Sequence, residues 1–265
     1  MKELLEITNL THQDLFDDIS FQIEPGKFVT ISGGNNCGKT TLIRILGGEI
    51  SLLQTVKLLG MYIEEYPHNL WKEITGTIIP QDETTFLFET VEEELNYAIQ
   101  LFKKNAEERK ETYKDIIKKY KLTKFQKKNP NEVPDFIKIK IILAEKMLAS
   151  PQILFLDDIC TELDTKEQKE FINLLRTIQL ETKISIVMTT SDLNIALESD
   201  YLYILGNKEI VLSGEPLSVV EKDNVLNKLG LELPFMVDLS VKLRDYNVVD
   251  KIELDIDRMV DNIWK

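Results

Sequence analysis

The hydrophobic positions along this chain switch repeatedly between a period of two and a period near 3.6. Leu4 to Ile7 predicts a short strand and Asn9 to Gln13 a turn, and Ile19, Phe21 and Ile23 alternate with polar neighbours over Asp18 to Ile23 as in a half-buried strand. Pro25-Gly26 marks a turn before the apolar run Phe28 to Ile31, and Leu42, Ile45 and Leu46 then share one face of a helix. After a mixed segment over Thr55 to Ile63, Gly76-Thr77-Ile78-Ile79-Pro80-Gln81 predicts a buried strand ending in a polar loop.

From Thr90 the pattern turns helical. Val91, Leu95, Ala98 and Phe102 recur at helical spacing, and Tyr113, Ile116, Ile117 and Tyr120 supply a second buried side. Ile137, Ile141, Ala144 and Leu148 line a further helix that Ser150-Pro151 ends, so residues 90–150 predict a helix-rich subdomain. Ile153 to Leu156 is continuously apolar, as expected of a parallel strand covered on both faces. A helix over Lys166 to Leu175, a strand over Ile184 to Met188 and a short helix from Leu193 to Leu197 follow. Gly206-Asn207 then joins strands over Tyr201 to Leu205 and Glu209 to Leu212. The alternation predicts an α/β fold with a mainly parallel central sheet and an N-terminal antiparallel β portion. Beyond Pro216 only helical patterns remain, which divides the chain into a domain over 1–221 and a small helical extension over 222–265.

Composition narrows the partners. The 265 residues carry a formal charge of -13 with a pI near 4.8, which argues against nucleic acid as a partner. Charge is uneven: Gln100 to Lys128 holds eleven Lys/Arg against four Asp/Glu, a basic helical surface that suits solvent at least as well as anionic lipid or nucleic acid. Two cysteines, Cys37 and Cys160, do not make a disulfide scaffold, and neither a signal peptide nor a membrane-spanning run is visible. A cytosolic location with membrane contact through a partner is expected.

The chemistry centres on Gly33-Gly34-Asn35-Asn36-Cys37-Gly38-Lys39-Thr40-Thr41, which satisfies G-x-x-x-x-G-K-[ST] between a strand and a helix. Backbone N–H groups of such a loop face phosphate oxygens, and the helix N-terminus adds a favourable dipole. Lys39 is placed to reach the β- and γ-phosphates and Thr40 to help hold Mg²⁺. Asp157 and Asp158 follow the Ile153 to Leu156 run, where open α/β sheets put ligand chemistry. Asp157 is the candidate Mg²⁺ group and Asp158 the candidate to orient an attacking water. Cys37, beside a helix N-terminus, reads more readily as a buried inert thiol than as a reactive one.

With a phosphate loop, Gln81 after a buried strand, a helical insertion and a paired-carboxylate strand end in this order, the chain resembles the ATP-binding subunits of ABC transporters from Leu4 to about Pro216. It looks most like the ATPase subunits of energy-coupling factor importers. The common start Asp18 to Gly26, the run Glu89 to Leu95 and above all the tail Leu231-Glu232-Leu233-Pro234-Phe235-Met236-Val237-Asp238-Leu239 carry that likeness. The resemblance implies a P-loop NTPase fold of ABC type, ATP and Mg²⁺ as cofactors, and a peripheral place on the cytoplasmic face of the membrane. It makes Gln81 the residue that senses Mg²⁺ and water, and puts Asp164 in the loop that reaches an opposite subunit. Phe86 and Phe88, within Thr85 to Phe88, fall on the membrane-partner contact.

Departures from the family pattern are equally specific. Its signature sequence falls on Val133-Pro134-Asp135-Phe136-Ile137, without serine or glycine, so Val133 and Asp135 would face a partner's nucleotide. Asp158 stands where the family has a catalytic glutamate and Ser191 where it has a switch histidine, and His12 is the nearest candidate for the aromatic that stacks on adenine. A homodimer would carry both sets of defects in each site. The resemblance therefore implies an asymmetric heterodimer with a second ATPase subunit, slow intrinsic hydrolysis, and membrane-embedded coupling and substrate-binding subunits that import a micronutrient, a vitamin or a metal ion. The alternative is a non-catalytic nucleotide-binding regulatory or structural subunit.

Overall fold

The computed structural model describes residues 3–67, 70–80 and 86–264. The N-terminal part carries β1 (Leu5–His12), β2 (Phe16–Ile23), β3 (Phe28–Gly33), α1 (Lys39–Leu46), β4 (Val56–Leu58), β5 (Met61–Tyr62), α2 (Leu70–Ile74) and β6 (Thr75–Ile78). The helical insertion follows as α3 (Val91–Phe102), α4 (Ala106–Lys119) and α5 (Asp135–Leu148). The chain then returns to the sheet through β7 (Ile153–Asp157), α6 (Thr165–Thr182), β8 (Ser185–Thr190), α7 (Leu193–Ala196), β9 (Tyr201–Gly206) and β10 (Glu209–Gly214). Four helices close it: α8 (Pro216–Val220), α9 (Asp223–Lys228), α10 (Phe235–Asp245) and α11 (Ile256–Ile263).

The strands form a four-stranded antiparallel sheet, ordered β2-β1-β4-β5, and a six-stranded sheet, ordered β10-β9-β3-β8-β7-β6. Within the larger sheet β3 runs parallel to β8 and β9, and β7 parallel to β8 and β6, while β10 pairs antiparallel with β9. The expected mainly parallel sheet with an antiparallel N-terminal portion is therefore present. Its strand order brings the C-terminal ends of β3, β7 and β8 side by side.

The period-two geometry explains why β7 is apolar throughout. Ile153 and Phe155 enter a core shared with α1 and the small sheet, whereas Leu154 and Leu156 enter a second core shared with α3, α5 and α6. α1, squeezed between the two sheets, buries Leu42, Ile43, Ile45 and Leu46. β9 divides in the same way. Tyr203 and Leu205 face the α1 core, and Leu202 and Ile204 face a third core built with Val219, Leu226, Leu231, Val237 and Val241 of the C-terminal helices. The extension over 222–265 thus shares a core with the central sheet.

Three local expectations need correction. Asn9 to Gln13 is not a turn, because β1 continues to His12 with Leu10 buried opposite Ile19; the reversal is confined to Gln13–Leu15, with Gln13 at φ 49. α3 buries Val91, Leu95 and Ile99, while Ala98 is half-buried and Phe102 exposed, so the true stripe lies one position from the expected one at its C-terminal end. α6 runs to Thr182, beyond the expected Leu175, because Ile178 extends its buried face by another turn.

The helical insertion is held by caps and charges as well as by its core. Thr90 caps α3 in a reciprocal box with Glu93, and the buried Glu94 carboxylate accepts from the N–H groups of Leu87 and Phe88, both at 2.9 Å. Part of the basic surface around α4 is paired, with Lys119 to Glu181 at 2.6 Å, Lys121 to Glu170 at 3.2 Å, and Lys127 to Glu92.

Candidate nucleotide site

The loop between β3 and α1 curls because its backbone adopts conformations that side chains resist. Gly38 sits at φ 103, and a Cβ there would come within 2.7 Å of the Phe16 ring. Gly34 packs with equal closeness on the C-terminal extension, where a Cβ would meet the Leu229 carbonyl oxygen at 2.6 Å. Helix α1 starts at Lys39 with no side-chain cap, so its first N–H groups open into the cavity in front of the loop. That cavity, about 430 Å³, is lined by Leu15, Asn35, Asn36, Gly38, Lys39, Thr40, Thr41 and Asp158.

Lys39 is buried and folds back on its own loop. Its ammonium donates to the carbonyl oxygens of Gly33 at 3.0 Å and Gly34 at 3.2 Å and lies 3.7 Å from Asp158 Oδ2. Beside it the Thr40 hydroxyl donates to Asp157 Oδ2 at 2.6 Å, joining α1 to the end of β7. Asp157 is 1% exposed, and its other oxygen accepts from the Thr189 hydroxyl at 2.7 Å. Thr189 also accepts the Asp158 N–H at 3.1 Å. One hydroxyl on β8 therefore braces both carboxylate residues, a role that follows from the pairing of Asp157 with Thr189 across the parallel ladder.

The Thr40 and Asp157 oxygens suit a hard divalent cation, because Mg²⁺ takes one or two protein oxygens and fills its remaining positions with water and phosphate. With Mg²⁺ bound, these two groups would hold it, and the ion would neutralise charge on the phosphates. Among the described residues no cluster of three or more His, Cys, Asp or Glu forms an all-protein metal cage. Asp158 is at φ 44, in the left-handed region, and its carboxylate accepts from the Thr161 hydroxyl at 3.2 Å. Burial holds the Asp158 carboxyl above its ordinary value, opposed by Lys39 and reinforced by Asp157. Burial likewise pushes the Cys37 thiol up against the lowering pull of Lys39, which agrees with an inert thiol. Cys160, buried behind the same strand end, is pushed up to about 12.

A model of the ABC transporter family matches residues 16–161. The chain belongs to that family. A curated relative from Pediococcus pentosaceus, the energy-coupling factor transporter ATP-binding protein EcfA, is 26% identical over 97% of this chain and 95% of its own. A putative ABC transporter ATP-binding protein from Clostridium acetobutylicum is 28% identical over 90% of this chain and 87% of its own. Among solved structures, CbiO1 of Clostridium perfringens, part of the transporter complex CbiONQ, superposes with a TM-score of 0.76. It covers 91% of this chain and 99% of that one at 21% identity, a likeness of fold.

Against the ABC pattern, the structure sorts the expected site residues into three groups. Asn35, Asn36, Gly38, Lys39, Thr40, Thr41 and Asp158 meet in one cavity, with Gly33 and Asp157 bonded to its lining. Ser191 lies in an adjoining hollow with Gly34, Asn35, Asp192, Asn194, Gly230, Glu232 and Leu233. Gln81 and Thr85 lie outside the described residues. His12 does not border the cavity: it pairs with Phe16 at the end of the β1–β2 ladder, and the short reversal brings Leu15 to the rim instead.

Two of the expected partner contacts are corrected. Phe86 and Val133 are 8% and 4% exposed and belong to the core around α3 and α5, where burying an aromatic and a β-branched side chain outweighs display at a surface. Leu87 is the exposed residue of that loop at 77%, and Phe88 is half-buried against Tyr97, with ring centroids 5.0 Å apart. Asp135 is exposed at the first turn of α5 and paired with Lys138 at 2.9 Å. Asp164 is exposed, and its carboxylate caps α6 by accepting from the N–H groups of Lys166 and Glu167, both at 2.8 Å. Sequence reasoning missed Thr189 and Leu15; the only signal for the first was a polar pair, Thr189-Thr190, ending an apolar strand.

Proposed function

We propose that this chain is the ATP-binding subunit that energises an energy-coupling factor importer of a micronutrient, a vitamin or a metal ion. It works beside a second, more conventional ATPase subunit and hydrolyses ATP weakly by itself. The observation that carries the reading is the joining of Thr40 to Asp157 at 2.6 Å beside Lys39, an assembled site for MgATP in a chain similar to EcfA over nearly its whole length. Asp158 is short for positioning water and is turned to Lys39, and the first turn of α5 carries a carboxylate where the family offers a serine and glycines to the partner's γ-phosphate. In a head-to-tail pair Asp158 weakens the site formed by this chain's Lys39 with the partner's signature, and Asp135 weakens the site built on the partner's phosphate loop, so each site carries one set of departures.

Coupling and substrate-binding membrane subunits complete the proposed complex. Among the described residues no helix is long and apolar enough to cross a membrane, so these partners would supply the membrane path. Leu87 and Phe88 supply a contact for the coupling subunit, and the C-terminal extension supports assembly. The same Lys39–Asp158 pair favours a second reading, a regulatory subunit in which ATP binds without turnover.

Phosphate release by the isolated chain, by a partner ATPase and by the two together, each with and without Lys39→Ala here, separates these readings. Weak release alone and strong release from the pair, reduced by the variant, supports the first. Unchanged release with loss of ATP-dependent pairing supports the second. Robust release by the isolated chain, abolished by Lys39→Ala, overturns the proposed impairment.

A further inference from the structure

A cleft of about 890 Å³ lies between the end of α4, α5 and α6, and shares no lining residue with the nucleotide cavity. Along one wall Lys166, Glu170, Asn173, Leu174, Thr177 and Glu181 follow a single stripe of α6, a run of about 22 Å at the helical rise. Spread over that length, 890 Å³ gives a mean cross-section of about 40 Å². One extended strand fills roughly 48 Å² in packed sheets, so the cleft has the proportions of an extended chain and not of a compact metabolite.

Its charge is opposite in sign to that of the whole chain. Lys118, Lys119, Lys121, Lys140 and Lys166 line it against Asp115, Glu170 and Glu181, a surplus of two positive charges in a chain of net charge -13. Glu170 accepts from Lys140 at 2.7 Å and from Lys121 at 3.2 Å, and Glu181 from Lys119 at 2.6 Å. Lys118 and Lys166 are exposed and make no ion pair among the described residues.

We propose that this cleft is a docking groove for an extended acidic segment of a partner protein, about six residues long, whose carboxylates pair with Lys118 and Lys166. The three carboxylates of the lining would repel a polyphosphate, which is negative along its whole length. A polypeptide instead spaces its charges on side chains and presents N–H and C=O groups between them. Asn173 and Thr177, both exposed on the α6 wall, can donate to the one and accept from the other.

The test uses the full chain and three probes: a blocked octapeptide alternating Glu and Ala, the same peptide with Arg for Glu, and inorganic tripolyphosphate. Lysine acetylation read by mass spectrometry is expected to show Lys118 and Lys166 losing reactivity with the glutamate peptide and keeping it with the arginine peptide. Lys110 and Lys124, exposed lysines outside the cleft, are expected to be unaffected. Lys118→Glu with Lys166→Glu turns the surplus of two positive charges into two negative ones without breaking an ion pair. Fluorescence anisotropy of the labelled peptides is expected to show this variant binding the glutamate peptide about tenfold more weakly and preferring the arginine peptide. No protection by the glutamate peptide, equal protection of Lys110 and Lys124, or unchanged affinity in the variant overturns the proposal. Protection of Lys118 and Lys166 by tripolyphosphate but not by the glutamate peptide overturns the choice of a polypeptide.

Discussion

Lys39 Nζ lies 3.7 Å from Asp158 Oδ2 while donating to two carbonyl oxygens of its own loop, so the ammonium is fully engaged by the protein's own oxygens. The pair has a pH signature. Burial raises the Asp158 carboxyl above its ordinary 3.8, so the folded state holds that proton more tightly than the unfolded state does. Its contribution is present in full below 3.8 and is lost as the pH rises through the folded value. Asp158→Asn removes this loss. Urea unfolding from pH 3 to 7 is expected to show the variant gaining on the natural chain across that window and the difference between them staying constant above it.

The position of Asp158 also bears on turnover. On the proposed reading, in which Asp158 is short for orienting water, a glutamate there carries one more methylene and extends further past Lys39. Because a misplacement of about 1 Å costs about a hundredfold in rate, Asp158→Glu is expected to raise phosphate release by up to about a hundredfold in the presence of a partner ATPase. Asp158→Asn is not expected to raise it. Equal rates for the glutamate variant and the natural chain place the defect elsewhere, at Ser191 or in the α5 first turn.

Thr189 makes its contribution through a hydroxyl alone. Thr189→Val keeps the shape but leaves one Asp157 oxygen and the Asp158 N–H without this partner in a buried place. Hydrogen bonds to charged groups contribute about 1.5–3 kcal/mol, so a loss of about 2 kcal/mol in unfolding free energy is expected, with Thr189→Ser close to neutral. The same valine variant is expected to weaken ATP binding in Mg²⁺ more than in EDTA, because Asp157 loses its brace.

Much of this architecture was legible because it rests on period and run length. Phe28 to Ile31 and Ile153 to Leu156 read as central strands because their apolar runs serve two cores at once, and the phosphate loop read directly from its glycines and lysine. What escaped depends on register and tertiary competition. Thr189 acquires its role only when β8 aligns beside β7, and Leu15 displaces His12 because the strand keeps pairing through residues that looked like a turn. Phe86 and Val133 turn into the core of the insertion, and a motif position says nothing about which face buries them.

Lys140 was equally hidden among the isoleucines of α5, where it is 3% exposed, 2.7 Å from Glu170 and 3.9 Å from the centre of the Phe136 ring. Glu170→Gln leaves an ammonium buried with a weaker partner. A cost of about 2 kcal/mol is expected, below the ~3–5 kcal/mol of a fully buried pair because Glu170 keeps solvent contact. Lys140→Met removes the charge together with its desolvation and is expected to be neutral or stabilising. The bond to Lys140 lowers the Glu170 carboxyl below its ordinary 4.5, so the penalty of Glu170→Gln is expected in full above that pH and to shrink as the pH falls through the folded value.

Leu226 tests how firmly the C-terminal extension is bound to the sheet. It is fully buried in the core that also holds Leu202 and Ile204 of β9, and three residues later Leu229 presses its carbonyl on Gly34 and its side chain on Gly206. If the extension were an independent appendage, Leu226→Ala would loosen it alone and leave the main transition unchanged. A shared core instead makes the loss global. Leu226→Ala is expected to cost about 3 kcal/mol in a single unfolding transition followed by both circular dichroism and, in a Trp264→Phe background, the fluorescence of Trp71, which lies in the other half of the molecule. Because Leu229 touches the phosphate loop, ATP is expected to recover part of that loss. Two separated transitions, with Trp71 reporting only the unshifted one, would show that the extension unfolds on its own.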